Sequence, residues 1–306
     1  RPTLQILSFW PLPIAWRRTH QGVLIRKGHT RVITVATGVR LAVLAGGLFG
    51  GLLLFPQRGA VVAGVAMDLS VIIEAGVITW ATGSVVRNAD FRAGADTKGQ
   101  ESLSMRGLVR FYQPLAVTTV LRQLTRPLLN AGIAAALLPA ASLAAWPVAW
   151  GLVILIAGPA WSLQQLTTAM ASGLPAYRRV SRFSLGLSAL FALALGLVAF
   201  TPLYGPVMGG VYNLSPELQD LARPAVQWLA AYPLLMGIQS VLRGRLIRAG
   251  CTGTVRTAMA VNVVVLAATL GLGVSLLSTS GAVLAALATF TGNLAEWGWL
   301  AYKSRC

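Results

Sequence analysis

The chain repeats part of its own sequence 222 residues later, and the repeat needs no gap. Residues 11–76 align with residues 233–298. Matching polar or conformationally restricted pairs include Pro11 and Pro233, Arg26 and Arg248, Gly28 and Gly250, Thr30 and Thr252, and Glu74 and Glu296. An apolar composition alone does not explain these pairs, so we interpret the repeat as a duplication. Its period is far longer than the roughly 20–50 residues of solenoid repeats, which favours two homologous lobes of a membrane protein.

The composition predicts an all-α polytopic membrane protein. Hydrophobic residues make up 56% of the chain and charged residues only 11%, whereas soluble domains average about 25% charged residues. Apolar stretches of about 20 residues or more, long enough to cross a bilayer core of about 30 Å, alternate with short polar breaks. The nine stretches lie near residues 4–25, 33–55, 60–86, 108–137, 143–171, 182–208, 219–247, 254–277 and 282–302. We therefore expect a multi-pass protein of the cell membrane, with the lipid bilayer as its surroundings.

The basic residues are concentrated in alternate breaks between these stretches. The formal net charge is +17, which by itself would also suit a nucleic-acid-binding protein. Lysine and arginine gather near residues 26–31, 87–110, 178–182, 243–256 and 303–305, whereas the intervening breaks contain few of them. This alternation follows the positive-inside rule for membrane helices. It predicts cytoplasmic basic loops and a cytoplasmic C-terminus, and it disfavours nucleic acid as a partner.

The repeat also predicts how the helices are grouped. It aligns the first three stretches with the last three, so residues 105–306 would form a six-helix C-terminal lobe. Residues 1–87 would then be the last three helices of an N-terminal lobe, and residues 88–104 a cytoplasmic linker. Two equal halves would require about 120 further residues before Arg1. The sequence thus predicts an N-terminally truncated chain with nine of twelve helices, and weak or absent transport by these nine alone.

Two segments of the chain resemble the progressive ankylosis proteins. They are LSFWPLPIAWRRTHQGVLIRKGHTRVI at residues 7–33 and VRFYQPLAVTTVLRQLTRPLLNAGIA at residues 109–134, with TRPLLN at 125–130 the most specific piece. That family is grouped with the multidrug/oligosaccharidyl-lipid/polysaccharide, or MATE-like, exporters. The resemblance implies a two-lobe bundle of six plus six helices around a central cavity. It also implies export of small anions such as pyrophosphate, nucleotide triphosphate or citrate.

The fourth apolar stretch contains the strongest candidate for a binding site. Arg122, Arg126 and Asn130 are spaced i, i+4, i+8 and form one stripe on a helix. Charged residues near the middle of a bilayer are costly, so by default they face the protein interior. Two guanidiniums on one face suit bidentate binding of a carboxylate or phosphate. The alternative is an inter-helix tether to a backbone carbonyl or to one of the acids Asp68, Glu74 and Glu296.

Two prolines, Pro114 and Pro127, flank the two arginines of this stripe. Each removes a backbone donor and favours a kink, and broken helices in the middle of the membrane are where transporters place substrate sites. We therefore expect a bend in this helix near the arginines.

Arg17, Arg18 and His20 form a further polar group in the first stretch. Their equivalents in the repeat are Gln239, Ser240 and Leu242, so these charges are specific to one lobe. Arg17 and Arg18 would either join the central arginines in binding the anion or extend towards the interface. His20 is a candidate for proton coupling, because histidine changes charge near neutral pH. Gln164, in the fifth stretch, is predicted to add polar lining to the substrate site.

The acidic residues within the apolar stretches divide into repeated and unrepeated ones. Glu74 and Glu296 occupy equivalent positions, which favours a structural role in holding a basic residue of a neighbouring helix or loop; ion coupling is the alternative. Asp68 aligns with Phe290 and is therefore the better candidate for binding a coupling proton or cation. Arg40 is its expected partner.

Motifs for catalysis are missing from the sequence. It contains no HExxH, nucleophile elbow or P-loop, and Cys251 and Cys306 have no metal-binding spacing. We therefore predict neither an enzyme nor a cofactor or metal site. The sequence favours a secondary transporter that exports small anions by alternating access of two lobes, coupled to a proton, a cation or the membrane potential. The alternatives are a flippase for lipid-linked saccharide or pyrophosphate carriers, and a cation-coupled multidrug exporter.

Overall fold

A computed structural model of the chain describes residues 2–88 and 104–304. Within these ranges nearly all of the backbone is helical, and the extended pairing consists of one isolated bridge between Leu137 and Ser280. The predicted all-α class is thus confirmed for the part of the chain that is described. The helices belong to two compact units, Arg1–Glu101 and Ser102–Cys306. All but the end residues of the predicted linker at 88–104 lie outside the described ranges.

The first unit contains four helices, and the longest of them holds the others together. The helices are α1 (Pro2–Leu7), α2 (Pro11–Arg26), α3 (Thr30–Leu54) and α4 (Gly59–Asn88). The first three all pack against α4, and a buried cluster of Leu24, Ala36 and Ile78 joins α2, α3 and α4. Because these residues come from three different helices, their burial fixes the helices around a common core.

In its described residues, the second unit contains eight α-helices, a large apolar core and a smaller apolar cluster at Leu246, Val255, Ala258 and Leu300. The helices are α5 (Met105–Ala135), α6 (Pro139–Ala157), α7 (Ser162–Met170), α8 (Leu174–Phe200), α9 (Pro216–Trp228), α10 (Tyr232–Arg248), α11 (Thr252–Leu276) and α12 (Gly281–Lys303). α12 packs against α5, α9, α10 and α11, and α10 also packs against α7 and α8. The core they enclose includes Trp146, Leu195, Met208 and Leu284. α12 is therefore at the centre of the unit.

Among residues 2–88 and 104–304, five helical segments are long and apolar enough to cross a membrane. They are Thr30–Leu54, Pro56–Ser84, Pro139–Met170, Leu174–Phe200 and Thr252–Leu276, and the bent pair α9 and α10 makes six if it counts as one span. These spans support a polytopic membrane protein, while the count of nine stays a prediction. α5 and α12 are 31 and 23 residues long, but charged side chains near their centres reduce their apolar character. Arg122 and Arg126 on α5, and Glu296 on α12, explain why these two helices are less apolar than the five spans.

The interruptions near the centre of the second unit lie at positions that the sequence analysis did not predict. A 3-10 turn at Gly158–Trp161 separates α6 from α7, and α9 meets α10 at an angle of 40°. α5, by contrast, is one continuous helix through Pro114 and Pro127. The expected bend in α5 stays a prediction, and the breaks occur where Pro159 and Pro233 occupy the first turn of a new helical segment.

The repeated segments adopt closely similar local structures. α3 and α11 begin and end at positions that are 222 residues apart, as the sequence alignment predicts. Gly28 and Gly250, which precede these two helices, have φ angles of 79° and 76°. This left-handed conformation is readily adopted only by glycine, and it reverses the chain at the end of a helix. The agreement supports the duplication, which remains an interpretation of the sequence.

Candidate functional site

The second unit encloses a polar cavity of about 450 Å³, within the usual size range of small-molecule sites. Helices α5, α6, α10, α11 and α12 all contribute to its wall. The polar lining consists of Arg122, Gln123, Thr125, Arg126, Asn130, Tyr232, Gln239, Arg243, Asn262, Thr289, Asn293 and Glu296. The lining thus contains three arginines and one glutamate, which leaves two positive charges in excess.

The α5 side of the cavity is formed by the stripe that the sequence analysis identified. Arg122, Arg126 and Asn130 all line the cavity, and all three are exposed. Ser104 fixes the start of this helix, since its Oγ accepts a hydrogen bond of 3.1 Å from the backbone N–H of Gly107. Among residues 2–88 and 104–304, the side chains of Arg122 and Arg126 form neither an ion pair nor a hydrogen bond. Both guanidiniums are therefore free to bind a ligand.

The α10 and α12 side contains a buried ion pair. Arg243 Nε donates to Glu296 Oε1 at 2.9 Å, and Arg243 Nη2 contacts the same oxygen. Asn262 Nδ2 donates to Glu296 Oε2 at 3.0 Å. Arg243 and Glu296 are only 7% and 1% exposed. Glu296 was one of the acids considered as an inter-helix tether for the α5 arginines. It is paired instead with a third arginine, Arg243.

Gln239 fixes the position of this third arginine. Its side-chain Nε2 donates to the carbonyl oxygen of Asn293 at 2.7 Å, and its Oε1 accepts a hydrogen bond of 3.4 Å from Arg243 Nη2. Gln239 is almost completely buried. The amide therefore links α10 to α12 and orients the guanidinium towards the carboxylate.

Aromatic rings form the apolar part of the wall. The rings of Trp146 and Trp150 stack with their centroids 5.7 Å apart, and the ring of Tyr232 meets Trp150 edge-on at 5.4 Å. Trp161, from the turn between α6 and α7, completes this side. Rings of this size exclude water and lower the local dielectric constant, so that the nearby guanidiniums attract anions more strongly.

The first unit has its own buried charge cluster. Arg17 forms an ion pair with Glu74, and Arg40 Nη1 lies 3.6 Å from Glu74 Oε2. Thr37 Oγ1 donates to Glu74 Oε1 at 3.2 Å. Arg40 therefore pairs with Glu74 rather than with Asp68, the partner expected from the sequence. Asp68 Oδ1 is buried and has no hydrogen-bond partner within the described ranges.

The remaining predicted site residues belong to the first unit, except Gln164. Arg18 is exposed on α2. His20 Nδ1 lies 3.0 Å from the carbonyl oxygen of Trp16, and the two rings are 5.0 Å apart. Gln164 is half-buried on α7 and is not part of the cavity lining. The structure thus brings Arg122, Arg126, Asn130 and Glu296 together at one site within the second unit.

Arg243 is the functional candidate that the sequence analysis missed. On α2 an arginine, Arg17, precedes a glutamine, Gln21, by one helical turn, whereas on α10 the order is reversed in Gln239 and Arg243. In each unit the arginine nonetheless reaches the repeated glutamate of the third repeat helix. When the two repeats are compared one position at a time, this exchange is not visible. It becomes visible when residue pairs spaced i, i+4 on α2 and α10 are compared.

A bundle of apolar helices that encloses a polar, positively charged cavity defines a membrane transporter. The chain belongs to the progressive ankylosis protein (ANKH) family, whose model matches residues 99–302. This match confirms the family resemblance and covers helices α5–α12, while the MATE-like superfamily and the truncation remain predictions. No curated protein matched the chain, and no solved structure matched it either.

Proposed function

We propose that the protein is a secondary transporter that exports small anions with phosphate or carboxylate groups, such as pyrophosphate, nucleotide triphosphate or citrate. The observation that carries this proposal is the pair Arg122 and Arg126, which share one face of α5 and border the cavity without a partner in the described ranges. Guanidiniums bind the planar oxygen pairs of carboxylates and phosphates in a bidentate manner. An anion with two such groups would engage both arginines at once.

The electrostatics of the cavity support an anion over a cation. Three arginines and one glutamate line it, and an apolar wall strengthens their field because the dielectric constant is low there. A cationic drug would meet repulsion from the two excess positive charges. This argument favours anion export over the cation-coupled multidrug exporter.

Export requires a source of energy and a way to expose the cavity to each side in turn. An inside-negative membrane potential favours the exit of an anion by about 2.3 kcal/mol per charge at 100 mV. Interrupted helices border the cavity, with the turn at Gly158–Trp161 and the bend between α9 and α10. In our proposal these interruptions are the points at which the wall of the cavity moves during alternating access.

Substitutions on α5 test this proposal directly. Arg126→Gln and Arg122→Gln each remove one charge-assisted contact worth about 1.5–3 kcal/mol, so each should reduce anion export roughly tenfold or more. The matched control is Arg110→Gln, on the same helix but outside the cavity lining, which should export normally. The measurement is the amount of pyrophosphate, citrate and nucleotide in the medium of cells that express the full-length protein, including the predicted N-terminal helices, normalised to the amount of protein in the membrane.

The comparison separates three results. Loss of export in the two cavity variants alone supports the proposal, and loss in all three variants indicates general damage to α5. Equal export by the unmodified protein and both cavity variants would contradict the anion site.

A further inference from the structure

One acidic side chain, Glu296, lies in the wall of the cavity. Glu296 is the acidic residue among the charged side chains of the lining, and it is paired with Arg243 at the wall. Arg122 and Arg126 border the same space on α5. A ligand that enters the cavity therefore meets two free guanidiniums and a third that a carboxylate already occupies.

Glu296 is paired with fewer cations than its counterpart in the first unit. Two arginines and Thr37 surround Glu74, whereas one arginine and Asn262 surround Glu296. Asn262 occupies the position equivalent to Arg40 in the repeat. An amide contributes a hydrogen bond but no charge, so the carboxylate of the second unit depends on a single cation.

We propose that Glu296 is an internal counter-ion, which a bound anion displaces from Arg243. This inference rests on the proposed anion site. An oxygen of the anion would take the place of Glu296 Oε1, so that the guanidinium keeps an oxyanion partner throughout and no uncompensated cation remains buried. Glu296 would keep its hydrogen bond to Asn262 and take up a proton from the bulk solution. The proton forms an O–H bond on the carboxylate, and the hydronium ion or buffer acid that supplies it is left as water or buffer base. Three guanidiniums would then hold the ligand.

The groups around Glu296 determine when this proton is taken up. Arg243 and Tyr232 face it from α10, and Arg122 and Arg126 line the same cavity from α5. α11 contributes the neutral Asn262, and α6 and α9 add no charged side chain to the lining. The charged side chains that line the cavity around Glu296 are thus all cations. A bound anion offsets their charge, so proton uptake accompanies anion binding.

The first test uses the unmodified full chain, purified in detergent, with ethanedisulfonate as the probe. This dianion does not titrate near neutral pH, so any pH dependence of its affinity originates in the protein. Calorimetry in two buffers of different ionisation enthalpy should show uptake of about one proton per bound anion. The affinity should rise as the pH falls, by at most about tenfold per pH unit for one linked proton. Binding without proton uptake would overturn the inference.

The second test compares matched substitutions in the two units. Glu296→Gln removes the competing charge but keeps the shape of the side chain, so it should bind the probe on the order of tenfold more tightly, without proton uptake. Glu74→Gln alters the equivalent pair in the first unit and should leave the affinity unchanged. An affinity of a folded Glu296→Gln variant that is equal to or below that of the unmodified chain would overturn the inference. If this variant does not fold, the proton count on the unmodified chain decides.

A third variant separates failure of this inference from failure of the proposed function. The double variant Arg122→Gln/Arg126→Gln should lose binding of the probe, whatever the role of Glu296. If it binds as tightly as the unmodified chain, or if the unmodified chain does not bind the probe, the anion site itself is contradicted. If the double variant alone loses binding while Glu296→Gln gains none, only the counter-ion is contradicted.

Discussion

Buried carboxylates determine which arginines are free to bind a ligand. Glu74 and Glu296 each neutralise an arginine of the neighbouring helix, and removal of one partner would leave a charge without compensation in an apolar environment. Arg122 and Arg126 have no such partner within the described residues, although they lie in the same unit as Glu296. The difference between structural and ligand-binding arginines therefore depends on the position of two acids.

The exchanged order of arginine and glutamine on α10 makes a prediction about stability. Arg243→Gln leaves Glu296 with no cation and should reduce the free energy of unfolding by about 3–5 kcal/mol, the usual effect of breaking a buried pair. Adding Gln239→Arg places an arginine one turn earlier, where Arg17 reaches Glu74 in the first unit. The double variant should recover most of the loss in a thermal unfolding measurement in detergent.

The single variant Gln239→Arg is the control for this rescue. It places two arginines beside one carboxylate and should not gain stability. A double variant that is no more stable than Arg243→Gln would show that the two positions are not interchangeable.

At the residue scale, the sequence identified the α5 stripe but not the ion pair between Arg243 and Glu296. The stripe follows from a 3.6-residue period and from the cost of burying charge, both of which are local properties. Arg243 and Glu296 are 53 residues apart, so their contact depends on how α10 packs against α12. No local pattern encodes that packing.

At the scale of helices, one glycine permits a close contact that its repeat equivalent does not need. A methyl group at Gly244 on α10 would lie 2.7 Å from Thr167 Cβ and 2.8 Å from the carbonyl oxygen of Gln164 on α7. The same addition at Gly22 on α2 would meet no atom within 4 Å. Repeated glycines thus have different roles in the two units.

This difference predicts opposite effects of the same substitution. Gly244→Ala should destabilise the protein by about 1–3 kcal/mol, because a crowded contact must open. Gly22→Ala should leave stability unchanged or raise it by up to about 1 kcal/mol, because alanine favours a helix. Unfolding midpoints in detergent measure both effects, and an equal loss in the two variants would contradict the assigned α7–α10 contact.

The sequence predicted where the helices lie better than where they break. Apolar length identifies the stretches, and all nine contain a helix in the described ranges. The turn at Gly158–Trp161 and the bend after Trp228 interrupt stretches that are apolar on both sides, so hydropathy does not reveal them. Proline is an ambiguous signal here. α5, α6 and α9 continue through internal prolines, whereas Pro159 and Pro233 lie at the start of a new helical segment.

At the scale of the whole molecule, the alternation of charge predicts the orientation of the chain in the membrane. Cys251 is exposed in the turn before α11, and Ser278 is exposed after the same helix. α11 has 25 residues and therefore spans about 37 Å at 1.5 Å per residue. The two positions should face opposite sides of the bilayer, with Cys251 inside.

Labelling with a membrane-impermeant maleimide tests this orientation. Intact cells that express the protein should label the Ser278→Cys variant but not the unmodified chain, whose Cys251 and Cys306 are both predicted to be cytoplasmic. Inverted membrane vesicles should label the unmodified chain. Labelling of the native cysteines in intact cells would reverse the predicted topology.

The aromatic wall of the cavity has a practical consequence. Trp146, Trp150 and Trp161 border the space in which the ligand would bind, and the emission of an indole ring responds to charge and water near it. In a chain whose other six of the nine tryptophans are replaced by phenylalanine, entry of an anion should shift or quench the intrinsic fluorescence. The protein thus carries an optical reporter of its own occupancy, and ligands can be screened without a radioactive or dye-labelled substrate.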